Sequence, residues 1–265
     1  RRDLRAVKLA GFKVGYYGNP VGSIIVSVAI RIAKLGLSEE AMSAWNVRPA
    51  EYLVLLIRYS QYRTMENLRV RRDPKVQMWV GLCDSYKPSE QSAVKAFQET
   101  VHPDKMPSGA EEQNTGPGLR ALFIGTALNK LLNERFLAIA DLRLRYRLSW
   151  TEAEFAFQTS QGKAKDPDDV STPEFTSQDT WITPALNLLQ VDHMADMSFS
   201  TSHISLPLLA ELFLLRHFVK CTEFCLVCHC KTNDSFEALK PYVCSNGLCL
   251  FQYIALGMGP NLEYE

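Results

Sequence analysis

Six of the chain's seven cysteines, at positions 221, 225, 228, 230, 244 and 249, fall within 29 consecutive residues of a 265-residue sequence. Even scattering would place about one there. No signal-peptide pattern opens the chain, so this density favours a metal site in a reducing compartment, cytoplasmic or nuclear, over a disulfide framework. Cys225, Cys228, Cys244 and Cys249 follow the pattern C-x2-C-x15-C-x4-C. Two close pairs brought together by a loop suit tetrahedral zinc, and four sulfurs leave no open position for a catalytic water, so the expected ion is structural. The four-residue gap in the second pair departs from the tightest zinc spacings, as does His229, where a tight knuckle often has glycine. Cys221, His229 and Cys230 leave the ligand set open. Six buried free cysteines are the bland alternative, and a redox CxxC lacks a thioredoxin-like βαβ context. Residues 250–256, followed by Gly257, read as a helix that starts at the second pair, where its dipole favours a thiolate.

Upstream, the hydrophobic period assigns an α+β fold with a sheet of three strands or more. Ile24, Val26, Val28, Ile30 and Ile32 alternate with a face carrying Ser27 and Arg31, which predicts a strand with one buried face. Residues 52–59 are apolar on both faces, as a central strand should be, and Val76, Met78, Val80 and Leu82 alternate again. Short helices are expected over 39–45, capped by Ser38, and over 90–99. Residues 1–108 thus form an α+β unit, and the Gly-Pro-Gly stretch at 109–118 reads as a linker. A long or twice-broken helix is predicted from Leu119 through Phe136, and Ser149 and Glu152 have capping-box spacing for another. The helical segment is placed at 119–160 and a mobile loop at 161–200, where apolar residues are sparse. Residues 201–265 then comprise an apolar helix, with Pro207 in its first turn, and the cysteine-rich module. The abrupt ends, Arg1-Arg2-Asp3 and Leu262-Glu263-Tyr264-Glu265, read as those of an excerpt.

Twenty-nine basic residues balance 29 acidic ones, which argues against a global field for nucleic acid. The local basic runs, Arg69 to Lys75 and Arg143, Arg145 and Arg147, read as solvated faces, and Trp79 and Trp150 as core. The longest apolar run, Tyr52 to Ile57, is far short of the roughly 20 residues of a membrane span. His102-Pro103-Asp104 matches the J-domain loop, but Gly116-Pro117-Gly118 interrupts the return helix, so a surface turn is expected. Asp192 with His193 has no nucleophile beside it, and Asp166, Asp168 and Asp169 lack the glycine and glutamate of a Ca²⁺ loop.

The run Cys221-TEF-Cys225-LV-Cys228-H, followed by Phe236-EALKPYV-Cys244-SNGL-Cys249-LFQYIALGMGPNLE to Glu263, resembles the cysteine-rich block ahead of the catalytic domain in fungal poly(ADP-ribose) polymerase (PARP)-like proteins. Those proteins also carry a C-terminal ubiquitin-conjugating (UBC) core. Residues 24–59 and 123–155 resemble the same family's N-terminal region. The resemblance implies a non-catalytic, zinc-stabilised region that positions a downstream NAD-dependent ADP-ribosyltransferase domain, with a protein or ubiquitin-pathway component as partner. No catalytic or NAD-binding residue carries over: none of the five histidines precedes a glycine, as the NAD motif needs. His102-Pro103-Asp104 stands where a UBC core has His-Pro-Asn, and the next cysteine is Cys221. The other reading is a self-contained, zinc-stabilised protein-binding adaptor without enzymatic activity.

Overall fold

The computed structural model describes residues 1–18, 23–60, 76–99, 118–159, 204–230 and 243–255. Its centre is a five-stranded antiparallel sheet in sequence order: β1 (Lys13–Gly18), β2 (Ile24–Arg31), β3 (Tyr52–Tyr59), β4 (Val76–Cys83) and β5 (Leu119–Ala121). The period-two pattern sets the register, because a slip of one residue would turn every aliphatic side chain to the wrong face. Val26, Ile57 and Met78 stand in one row across β2, β3 and β4, with Val28, Leu55 and Val80 in the next and Ile30, Leu53 and Leu82 after that. All nine are buried in the main core.

Strand β2 departs from the one-faced strand its alternation suggests, since every residue from Ile24 to Ile30 is buried. The reason is helix α3 (Glu90–Glu99), whose Ala93, Ala96 and Phe97 cover Ile25, Ala29, Val54 and Leu56 on the second face. Ser27 is accommodated there because its hydroxyl donates to the Tyr86 carbonyl at 3.0 Å. Trp79 lies half-buried over the same face, and its ring occupies the space a side chain at position 81 would need, so Gly81 is required where the two meet.

The first face carries the thicker helical layer. Numbered in chain order around α3, it comprises α1 (Arg2–Leu9), α2 (Glu39–Ala44), α4 (Gly125–Leu131), a wide π turn over Leu132–Phe136, α5 (Leu137–Tyr146), α6 (Trp150–Thr159) and α7 (Leu206–Val219). The last helix, α8 (Gly247–Ala255), follows the second cysteine pair. The Ser38 side chain accepts the Ala41 N–H at 3.1 Å. Ser149 and Glu152 close the capping box in both directions, at 2.7 and 3.2 Å. Ser205 caps α7, with Pro207 in its first turn. Helix α7 is buried from Leu206 to Phe218, and its Phe213 packs against Phe136 and Trp150 at centroid distances of 5.4 and 5.2 Å.

Two expectations give way. Leu119–Ala121 is a strand, so the helical run starts at Gly125. Its three residues pair with Gly81, Leu82 and Cys83, and Arg120 is drawn into a charge cluster described below. Arg143 is buried rather than solvated: its guanidinium lies 4.5 Å from the Trp150 ring centroid and its Nε donates to the Leu148 carbonyl. The linker at 109–117, the loop at 161–200, the His102 turn, the basic run at 69–75 and the acidic and histidine motifs at 166–169 and 192–193 lie outside the described residues.

Where β5 stops, side-chain amides take over its work. Val80 N–H donates to Asn129 Oδ1 at 2.8 Å, and Met78 N–H to Asn133 Oδ1 at 2.9 Å. Asn133 Nδ2 returns a bond to the Met78 carbonyl at 2.8 Å. These amides satisfy an edge that would otherwise present bare backbone.

Two buried carboxyls have opposite fates. Glu51, 2% exposed at its side chain, accepts three bonds of 2.8–3.1 Å from Arg120 and two more from Arg48. Burial alone would raise its pKa, but the bonds from Arg120 and Arg48 outweigh burial and hold it at about 2. Glu211, on α7, is wholly buried with neither oxygen hydrogen-bonded among the described residues, and burial pushes its pKa well above the ordinary value.

The signs of the pH dependence follow. A carboxyl depressed from 4.5 stabilises the fold above about pH 4.5, and that contribution is lost as pH falls towards 2. In urea titrations across this window, Glu51→Gln should abolish that part of the acid sensitivity. A raised carboxyl does the reverse, since the unfolded chain ionises first as pH climbs. Glu211→Leu should therefore gain about 1–3 kcal/mol at neutral pH, with an advantage that widens on going from pH 5 to 8.

Candidate metal centre

Helix α7 ends at Val219 and hands the chain to a single tight turn, Cys221–Glu223, and then to a hairpin-like knuckle. The knuckle is closed by Cys225 N–H donating to the Cys230 carbonyl at 3.0 Å and His229 N–H donating to the Cys225 carbonyl at 2.9 Å. His229 takes a left-handed backbone, with φ of 54°, which is the geometry that makes glycine common at this place in tight knuckles. Burial of its ring against His217, 6.4 Å away and nearly perpendicular, accompanies that strain.

The body grips the knuckle at several points. Leu226 enters the main core, the Phe224 ring lies 4.7 Å from His217, and Arg135 Nη1 donates to the Cys228 carbonyl at 2.6 Å. Arg135 comes from the π turn, so the wide turn that serves the sheet edge with Asn133 also reaches the cysteines. The second pair is carried by residues 243–255. The Asn246 side chain accepts the Leu248 N–H at 3.0 Å, which starts α8 and puts Cys249 in its first turn.

The sulfurs of Cys225, Cys228, Cys244 and Cys249 all lie within 4.8 Å of one another, and together they could hold a metal ion. Cys225 and Cys249 are buried, whereas Cys228 and Cys244 are half-buried with their sulfurs 3.8 Å apart. Cys244 N–H points at Cys225 Sγ, 3.3 Å away. A hydrogen bond from Cys228, helped by backbone N–H groups of Cys228, Cys244 and Val227, pulls the Cys225 thiol down to about 4, while the same contact pushes Cys228 up. Burial, then the neighbouring thiol of Cys244, pushes Cys249 up to about 11. Bringing four such groups together without a cation stacks like charges, so an ion that takes their charge displaces protons from them.

The three additional candidates stand outside this group. Cys221 is buried at the end of α7, where desolvation pushes its thiol up to about 12. His229 faces His217, and the Cys230 thiol lies 3.7 Å from the Cys228 carbonyl.

Sequence reasoning missed a buried polar cluster next to the knuckle. Glu154 Oε1, on α6, lies 3.3 Å from Arg216 Nε and 3.0 Å from His217 Nε2, and Arg216 Nη2 donates to Thr151 Oγ1 at 2.8 Å. Burial would raise Glu154, but the neighbouring His217 and Arg216 outweigh it and hold the carboxyl below its ordinary value. The cavities flanking His217 have room for no more than about one water each, which is too little for a substrate. The available signal was the adjacent Arg216 and His217 inside an otherwise apolar helix.

The chain matches no family model, no curated protein and no solved structure. Among the described residues no helix is long and apolar enough to cross a membrane.

Truncating the central carboxylate tests the cluster. Glu154→Ala leaves Arg216 and His217 facing each other in the interior and should cost about 3–5 kcal/mol by chemical denaturation, whereas Glu154→Gln should cost less.

Proposed function

We propose that the four thiolates hold one structural zinc ion and that the chain is a non-catalytic scaffold whose zinc-stapled module sets the path of the polypeptide beyond it. The observation that carries this reading is the convergence of four sulfurs from two separate segments within 4.8 Å. Zinc–sulfur bonds of about 2.3 Å in a tetrahedron require sulfur–sulfur edges of about 3.8 Å. Cys228 and Cys244 already stand at 3.8 Å. Zinc adds no redox chemistry and, with four protein ligands, no water to activate. Its contribution is to neutralise the thiolates and join the knuckle to α8. A reducing compartment, cytoplasm or nucleus, keeps those thiolates free to bind it.

The sequence resemblance supports a more specific form of the proposal. The run from Leu239 to Gly257 is the most specific part of the similarity to fungal PARP-like proteins fused to a UBC core. In that setting this chain is the region ahead of the transferase domain, NAD belongs to that domain alone, and partners are proteins, ubiquitin-pathway components among them. The adaptor reading draws its support from α8, where Leu248, Leu250, Phe251 and Ile254 are all exposed. Both readings expect this chain alone to leave NAD unchanged, and NAD turnover by it would replace them with an enzymatic one. ADP-ribosyl transfer by a longer product of the same gene separates the first reading from the adaptor.

Metal analysis of the purified chain should find about one zinc per molecule. Replacing Cys225 and Cys228 together with serine should remove it and make the segment from residue 243 onward sensitive to limited proteolysis. Unchanged metal content, melting and cleavage in that variant would refute the staple.

A further inference from the structure

The sulfurs join two unequal halves. On one side the knuckle is part of the body: Cys221, Phe224, Cys225, Leu226, Val227 and His229 are all buried, and Arg135 holds the Cys228 carbonyl. On the other side, among the described residues from 243 to 254, Cys249 alone is buried, with Val243 and Tyr253 half-buried against the core. Helix α8 is uncharged, and four of its large apolar side chains are 53–73% exposed.

We infer that the centre is a metal-dependent order switch confined to 243–255: metal binding folds α8 onto a knuckle that is already in place, and metal loss frees α8 while the knuckle stays docked. The inference rests on the zinc-staple reading and adds the division of labour between the halves. A nine-residue helix is too short to persist on its own backbone hydrogen bonds and normally depends on burying an amphipathic face. Among the described residues that face amounts to one cysteine and half of one tyrosine, and the other tie between α8 and the knuckle runs through the sulfurs of Cys244 and Cys249. The knuckle has independent support in Leu226, in the Phe224 and His229 rings against His217, and in the Arg135 bond. Metal loading thereby governs whether an apolar helix is ordered and displayed, without disturbing the sheet and helical layer beneath.

Hydrogen–deuterium exchange on the full chain tests this, with the protein zinc-loaded, then stripped by chelator under a non-thiol reductant, then reloaded. Amides of 247–255 should exchange at least about 100-fold faster after stripping and recover with zinc, while those of α7 and the knuckle change by less than about 5-fold. Loss of protection in the knuckle together with α8 would overturn the inference, as would protection of α8 that survives stripping. A chain that takes up no zinc would instead refute the staple reading, and the inference with it. Cys249→Ser gives the same comparison without chelator: α8 exchanges fast beside a protected knuckle, and a knuckle that opens in that variant overturns the proposal.

Discussion

The structure depends on excluding water from the aliphatic rows that cross β2, β3 and β4. Nine side chains in three registered rows present a flat apolar surface too large for any single helix to cover. Helix α7 answers this by being predominantly apolar and buried around its whole circumference, inside the helical layer instead of on its surface. That position has a cost. The helix carries Glu211, Arg216 and His217 into the interior, and only the last two find partners among the described residues, in Glu154 and Thr151. Because α7 also delivers the first cysteine pair, the main core and the sulfur cluster are mechanically continuous.

Much of this was legible where one local rule governed. The bounds of β3, β4, α3 and α7 follow directly from hydrophobic period and caps, and the cysteine spacing pointed to the four residues whose sulfurs lie within 4.8 Å of one another while leaving Cys221, His229 and Cys230 open. What escaped depended on distant partners. Strand β1 carries Gly15 and Gly18, which dilute its alternation, and β5 is only three residues long, held by β4 and by the Arg120–Glu51 pair, 69 residues apart in sequence. No local pattern announces that pairing. Burial of the second face of β2 was hidden for the same reason: it is decided by α3, some sixty residues later, and Ser27 reads as a solvent-facing residue until the Tyr86 carbonyl is placed beside it.

The π turn at Leu132–Phe136 illustrates how one irregularity serves two ends. Asn133 caps the backbone of β4, and Arg135, two residues on, reaches the knuckle carbonyl of Cys228. A helix with one extra residue in its turn spreads those two side chains onto targets that a regular spacing would not serve together, in keeping with the tendency of such bulges to occur where a fold has to reach something particular. Sheet edge and cysteine centre therefore share a support.

The amides of Asn129 and Asn133 also give the sheet a polarity. The β4–β5 margin is occupied by side chains and a short strand, and β1 forms the opposite margin. Beyond the three residues of β5, β4 therefore has its main-chain N–H groups at Met78 and Val80 met from within the chain, by a helix and the π turn rather than by another strand.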